Sequence, residues 1–442
     1  MSIELSPPVG PGGYPVILST AAGALMTVVL DATNPNSSRR LWGMTLLERN
    51  LRLVERLGAT AISIIVSDEG DRSRAGRRRF RGLVQPNIVV ARMATWEVVA
   101  QVSEAAPGPV LLLEAHAVYD RRLIGLLWQA PAPATGAGEN GEALEAAALL
   151  VDKESLGATI SDSQTPWSAA TDSLSFATQV ERIDLNRISA HDSNMRKAVA
   201  PAVVAVVDKE SRRRADRFLR DLAGKGINDI VGEFIHPPLE FALTRLMAPT
   251  PVTPNQVSYL NVVLSLVALP LFASGMIWEG IAINLVRGVT DGVDGKLARL
   301  TLRESEGGNV LDHGLDTMYL PLLFAAFGYH LAAGDPYSAA ALSSYLLQFF
   351  YWPNRVFSSW YKTFLGVGES DFRRSDRIVR RFHPKRNIFI LMALIAMLFK
   401  APQLALYGIT GLTAFMFFFR MARLDREGRR LARAREAQAE QR

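Results

Sequence analysis

Along the 442-residue chain, apolar positions follow two regimes. Up to about residue 225, short β-like runs alternate with stretches of helical spacing, whereas long apolar runs dominate from about 255 to 420. Strands alternating with helical patterns predict a mixed α/β domain with a largely parallel sheet. The predicted strands are 16–19, 61–66, 110–113, 147–151 and 203–207, with a helix over 44–59. The stretch 129–142, QAPAPATGAGENGE, reads as a flexible surface insertion. The second regime predicts an all-α transmembrane bundle of six spans, near 257–276, 278–289, 315–333, 337–351, 388–399 and 404–419. Several are shorter than the roughly twenty residues a span usually needs. Between the regimes, SRRRADRFLRDLAGKG is a charged helix, and EFIHPPLEFALTRLM has an apolar face interrupted by Pro237 and Pro238. That connector suits either a membrane surface or a solvated linker. The expected division is 1–225, 226–254, 255–420 and an Arg-rich tail 421–442.

Composition narrows the chemistry. The absence of cysteine excludes disulfides and Cys-ligated zinc or iron–sulfur sites. The start, MSIELSPPVGPGG, lacks a basic segment followed by an apolar one, so no cleaved signal peptide is expected and the α/β domain is expected in the cytoplasm. A net charge of +6 comes without any basic–aromatic nucleic-acid motif, so nucleic acid is not an expected partner. The charge reads instead as topology. The loops near 276–280, 333–335 and 400–403 carry little positive charge, whereas Arg299, Arg303, the stretch 354–386 and the tail after Arg420 are basic. The positive-inside rule places that side, and both termini, in the cytoplasm.

At the junction of the second and third spans lie two pairs of acids, Asp291/Asp294 and Asp312/Asp316. Spacings of three and four put each pair on one face of a helix. Carboxylates at membrane depth are expensive unless a cation lies among them, and four oxygen donors suit hard divalent metals. The whole pattern is D-x2-D-G-x2-A-R-x8-G-x3-D-x3-D, with Gly295, Ala298, Arg299 and Gly308 at its other fixed positions.

This pattern resembles, at every fixed position, the signature of the CDP-alcohol phosphotransferase (CDP-alcohol phosphatidyltransferase) family. The resemblance implies attack of an acceptor hydroxyl on the phosphoryl group of a CDP-alcohol, with CMP leaving. It implies Asp291, Asp294, Asp312 and Asp316 as ligands of two Mg²⁺ or Mn²⁺ ions, and Asp316 as general base. Gly295, Ala298, Arg299, Ser305 and Gly308 are the implied CDP contacts; Asn255 and Ser258, in T-P-N-x-x-S, are either cytidine contacts or helix caps. Y-W-P-N-R and H-P-K-R partly match the acceptor-phosphate patterns of phosphatidylinositol-phosphate synthases, which makes Arg355 and Arg386 the acceptor candidates. Pro353 and His383 depart from those patterns, which leaves the acceptor open. The implied partners are a CDP-alcohol lipid donor, foremost CDP-diacylglycerol, a polar alcohol or phosphorylated polyol, membrane lipid and a second copy of the chain. D-H-G-L-D also resembles the motif of choline/ethanolamine phosphotransferases, in which the polar alcohol carries the CDP.

The first half resembles the nucleotidyltransferase fold of sugar-phosphate cytidylyltransferases in PVILSTAAG, GMTLLERNLRLVERLGATAISIIV and VLLLEAHAVYD. Archaeal inositol-phosphate-lipid enzymes with this domain fused ahead of the phosphotransferase have the same order. After the first predicted strand, however, the loop continues as ALMTVVLDATNPNSSRR without G-x-G-x-R, and His116 stands where a metal-binding aspartate is expected. Glu114, Arg39 and Arg40 are the substitutes at hand. The preferred expectation is a degenerate domain, with a bifunctional enzyme and a nucleotide-binding membrane scaffold as the alternatives.

Overall fold

A computed structural model describes residues 26–68, 86–104, 106–138, 142–159, 165–168, 180–192, 197–226, 229–304, 306–365, 379 and 381–440; among the described helices, the side chains of 157–159, 306–313, 315–316, 358–365, 431–432 and 434–440 are outside the described set. The strand expected at 16–19 and the CDP candidate Ser305 lie outside the described residues.

The α/β half is built on β1 (Met26–Ala32), whose seven residues are all buried. It pairs in parallel with β2 (Ala59–Val66) on one side and β4 (Val110–Glu114) on the other, and β3 (Asn87–Val90) extends the sheet beyond β2. Past β4 run β7 (Ala148–Val151), β6 (Ala134–Ala137) and β8 (Glu181–Asp184), to complete a seven-stranded mixed sheet. Two expectations are corrected here. Residues 26–32, read as part of a loop, form the central strand: MTVVL is a continuous apolar, β-branched run, the pattern of a strand covered on both faces. The supposed insertion 129–142 contains β6, which is held by parallel pairing to β8 and antiparallel pairing to β7. The expected strand at 203–207 is β9 (Val203–Ala205), which pairs with β5 (Ala117–Tyr119) outside the main sheet.

Helix α1 (Leu46–Arg56) starts at Thr45, whose hydroxyl accepts the Glu48 amide. Helix α2 (Trp96–Ser103), α3 (Arg121–Gln129) and α4 (Lys153–Thr159) cover the sheet. The charged helix α5 (Lys209–Ala223) is closed by a capping box between Asp208 and Ser211.

After α6 (Ile230–Phe234), the two prolines begin α7 (His236–Met247) instead of interrupting it, since a first-turn proline lacks only an amide that the helix leaves unpaired. Its buried positions are polar: His236, Glu240 and Thr244 face inward, whereas Leu239 and Leu246 are exposed.

Six long helices follow among the described residues: α8 (Pro254–Ala273), α9 (Ile277–Thr301), α10 (Glu306–Ala332), α11 (Ala339–Leu365), α12 (Arg386–Leu398) and α13 (Gln403–Glu440). Phe272, Phe324, Phe327 and Phe389 form their core, with edge-on ring contacts such as Phe324–Phe389 at 5.2 Å. Two described stretches are by length and composition able to cross a membrane, Pro254–Ala273 and Gln403–Arg430; Thr317–Ala332 and Arg386–Leu398 are apolar but shorter. Helix α11 extends well into the segment expected as a loop after residue 354, and the tail after 420 continues α13.

The halves share a core. Leu41, Trp42, Leu46 and Phe218 pack in one cluster with Val257, Val293, Leu297 and Leu300 of the bundle. Gly43, at φ 80°, lies so close to the Ala248 carbonyl that a Cβ there would collide with backbone.

Candidate functional site

The motif occupies the last turns of α9 and the first turns of α10. On α9, Asp294 is buried and accepts a hydrogen bond from the Ser258 hydroxyl of α8 at 2.7 Å. Asp291, one turn earlier, is partly open and takes a hydrogen bond from Arg386 Nη2, at the start of α12, at 3.1 Å. Ser258 therefore touches a motif acid and is not the cap of α8, a task done by Thr253 with Gln256. Asn255 is exposed in the first turn of α8.

Positions 312 and 316 lie one turn apart on α10, with side chains outside the described set. Arg355, on α11, donates to the hydroxyl of Thr317, the residue after Asp316. Of the two acceptor candidates, Arg386 thus touches a motif acid and Arg355 touches the residue after the last one. Among the described residues, no three His, Asp or Glu side chains converge into a metal site. The donor chemistry of the four motif acids nevertheless fits a hard divalent cation.

The remaining motif positions have mixed outcomes. Arg299, expected to grip phosphate, spends its Nε on the Ala223 carbonyl at the end of α5, at 2.8 Å. Gly295 leaves room for that guanidinium: a Cβ there would come within 3.1 Å of Arg299 Nη1. Ala298 is half-buried, and its carbonyl accepts the Arg303 amide. Gly308 lies in the first turn of α10.

Lys296, to which no role was attached, is buried in an ion pair with Glu240 of α7 and lies 5.1 Å from the Phe241 ring centroid. Around it, Gly292 faces the Glu240 carboxylate and Gly288 faces the His236 ring, so α7 lies directly on the motif helix. Small residues four apart at 288 and 292 were the available signal for this approach.

His383, the departure from the acceptor pattern, contacts Arg420 through its Nε2 at 2.5 Å. Burial, and then the cations Arg420, Lys385 and Arg355, push its imidazole well below the usual 6.5. It is therefore a neutral partner of Arg420 and not a phosphate-binding cation.

A second polar cleft, of about 350 Å³, opens at the carboxyl ends of β1 and β4 and is lined by Asp31, Thr33, Arg92, Glu114, His116 and Ser168, among others. Asp31 is tied by the Thr33 hydroxyl at 2.7 Å and by Trp167 Nε1 at 3.0 Å. Glu114 accepts the Ala147 amide at 2.7 Å, and burial raises its carboxyl above the usual range. His116 is 6% exposed, so it is a buried wall of this cleft. Arg39 and Arg40 are not among the lining residues.

Residues 251–422 match the family model described as CDP-alcohol phosphatidyltransferase. The chain is 31% identical over 129 residues to a "Bifunctional IPC transferase and DIPP synthase" of Rubrobacter xylanophilus, covering 29% of this chain and 29% of that protein. It is 32% identical over 105 residues to "Inner membrane protein YnjF" of Escherichia coli, covering 23% of this chain and 49% of that protein. The chain thus spans less than half the length of either relative. Among solved structures it is similar to the inositol-1-phosphate CTP transferase from T. maritima, at 9% identity, 44% of this chain, 97% of that chain and a TM-score of 0.32. By the family match, the C-terminal region of this chain belongs to the CDP-alcohol phosphatidyltransferase family.

Proposed function

We propose that residues 251–422 transfer a phosphatidyl or related substituted-phosphate group from a CDP-alcohol, CDP-diacylglycerol foremost, to the hydroxyl of a polar acceptor, with release of CMP. The observation that carries this reading is the pair of contacts Ser258–Asp294 and Arg386–Asp291 on the motif helix, with Arg355 on Thr317 beside the second acid pair. Asp291, Asp294, Asp312 and Asp316 would hold two Mg²⁺ or Mn²⁺ ions, which when bound neutralise the pyrophosphate and favour the departure of CMP.

The chain's own residues do the rest. Ser258 fixes the rotamer of Asp294. Arg386, paired with Asp291, offers a forked cation to an anionic acceptor that approaches the acids. Arg355 offers the second. Asp316 takes the proton of the attacking hydroxyl. Asn255, Gly295, Ala298, Arg299, Ser305 and Gly308 form the nucleotide side. In this reading the six helices cross the cytoplasmic membrane, the site and both termini face the cytoplasm, and the enzyme works as a homodimer.

The test is CMP release by purified protein with CDP-diacylglycerol and Mg²⁺ or Mn²⁺, over inositol phosphate, inositol, glycerol phosphate, serine and sugar phosphates. Release that depends on one acceptor and is lost in Asp316→Asn supports the reading. Silence with every acceptor, and again with a CDP-linked polar donor and a lipid acceptor, rejects it.

The relative named as bifunctional favours a second reading of the α/β half over a domain that has lost its chemistry. In that reading the Asp31–Glu114 cleft makes the CDP-alcohol that the bundle consumes. Metal-dependent turnover of CTP by the full chain, lost in Glu114→Gln, would support it; no CTP turnover with any phosphorylated alcohol would return the domain to a binding or structural role.

A further inference from the structure

We infer that the α/β domain is a working part of the transferase, through Arg49, Arg52 and Arg56 of α1 as positioning residues for the motif. The inference rests on the transferase reading of residues 251–422. A helix end leaves its last carbonyls without intrahelical donors. Helix α9 ends inside protein, with Leu300 and Thr301 each 1% exposed, so those carbonyls must find donors elsewhere. The Arg303 amide closes on Ala298 O at 2.9 Å. The three carbonyls at the very end are met from α1. Arg49 Nη1 donates to Leu300 O at 2.7 Å, Arg52 Nη1 to Thr301 O at 3.1 Å, and Arg56 Nε to Leu302 O at 2.8 Å. Spacings of three and four place these arginines on one face of α1. Their charge also matches the negative end of the α9 dipole.

Arg56 grips the turn beyond the helix as well. Its Nη1 meets Glu304 Oε2 at 3.0 Å and its Nη2 meets Glu304 O at 2.7 Å. Leu302, in the same turn, has φ 51°, a conformation that side chains with a Cβ rarely adopt. It packs on the core of the α/β domain. Such a residue persists only where its surroundings over-determine it, and here the surroundings are α1 and the α/β core.

The consequence lies in what the turn separates. Asp291 and Asp294 precede it on α9, and Asp312 and Asp316 follow it on α10. A slip of one residue at the turn would rotate the second pair by about 100° around its helix axis. The three arginines therefore set the phase between the two acid pairs. Their anchor is firm: Asn50, on the same helix, donates to Ala115 O at 3.3 Å and Ala117 O at 3.0 Å, on either side of His116.

The test compares the full chain with Arg52→Gln/Arg56→Gln and Arg52→Lys/Arg56→Lys variants. CMP release is measured per folded molecule, with the folded fraction taken from size exclusion and the thermal midpoint. In parallel, spin labels at Val286→Cys and Met318→Cys, exposed on α9 and α10 in a chain without native cysteine, report the distance between the helices. The glutamine variant is expected to lose on the order of 10²-fold in kcat with the donor KM within about twofold. Its label distances should broaden, and lysine should recover most of both. A kcat within about twofold of wild type in folded glutamine variant, or an unchanged distance distribution, overturns the inference. If wild-type protein releases no CMP, the failure belongs to the transferase reading, and the spin-label result alone decides the positioning role.

Discussion

The acids of the bundle and the acids of the α/β cleft differ in one partner, a cation from a neighbouring helix. Asp31 and Glu114 are secured by their own domain, through Thr33, Trp167 and the Ala147 amide just before β7. Asp291 and Asp294 are met by side chains from other helices, Arg386 and Ser258, with the Gly295 amide on Asp294 as well. An acid fixed by local partners holds its fold together whether or not it does chemistry. An acid whose partner is a cation on a neighbouring helix can exchange that partner for a ligand. Asp291 is the acid that this contrast singles out, and the cleft acids need an activity measurement of their own.

Four outcomes break or sharpen this contrast. The largest is structural: Lys296→Met leaves the Glu240 carboxylate buried without its cation beneath the motif, at a cost of about 3–5 kcal/mol. The purified variant should show a strongly lowered thermal midpoint, and the double change Lys296→Met/Glu240→Gln should recover much of it. Next, Arg386→Ala should raise the acceptor KM by about tenfold or more while the donor KM holds. An unchanged acceptor KM would show that the Arg386–Asp291 contact serves only the fold. Third, Asp31→Ala removes the acceptor of Trp167 Nε1 and of the Thr33 hydroxyl and should cost about 1–3 kcal/mol by denaturant titration. Transfer by the folded variant should stay within about twofold of wild type. If CTP turnover exists and disappears in this variant, the cleft is a second active site.

The smallest effect concerns pH. The folded chain holds the His383 imidazole well below 6.5, whereas the unfolded chain takes up a proton near that value. The unfolded state thus binds more protons as pH falls, so stability drops below pH 6.5, by on the order of 1 kcal/mol over the first unit. A His383→Asn variant should lose that slope in thermal melts at pH 5.5 and 7.5.

The parts of the molecule legible in the sequence were those encoded locally. The helices of the bundle follow from apolar spacing within short windows, and two of them are long and apolar enough to cross a membrane. The central strand reads as loop in the sequence because the apolar run PVIL just before it fits a first strand, and it is pairing with β2 and β4 that fixes MTVVL in the sheet. Strand β6, ATGA, has too little β-branched character to be read as a strand; β7 and β8 hold it there. Pro237 and Pro238 looked like an interruption because the helix start they favour is visible only once its register is known. The grip of Arg49, Arg52 and Arg56 on the motif helix joins residues some 250 positions apart, as at Arg49 and Leu300, and nothing in either segment alone announces it.

The central claim is that the chemistry lies with the acids at the junction of α9 and α10. Its most direct measurement is single-turnover CMP release by full-length Asp291→Asn beside wild type, at saturating donor, acceptor and Mg²⁺ and with matched thermal midpoints. The account predicts a loss of more than about a hundredfold with the fold intact. CMP release within about tenfold of wild type would contradict it and move the reaction elsewhere in the chain.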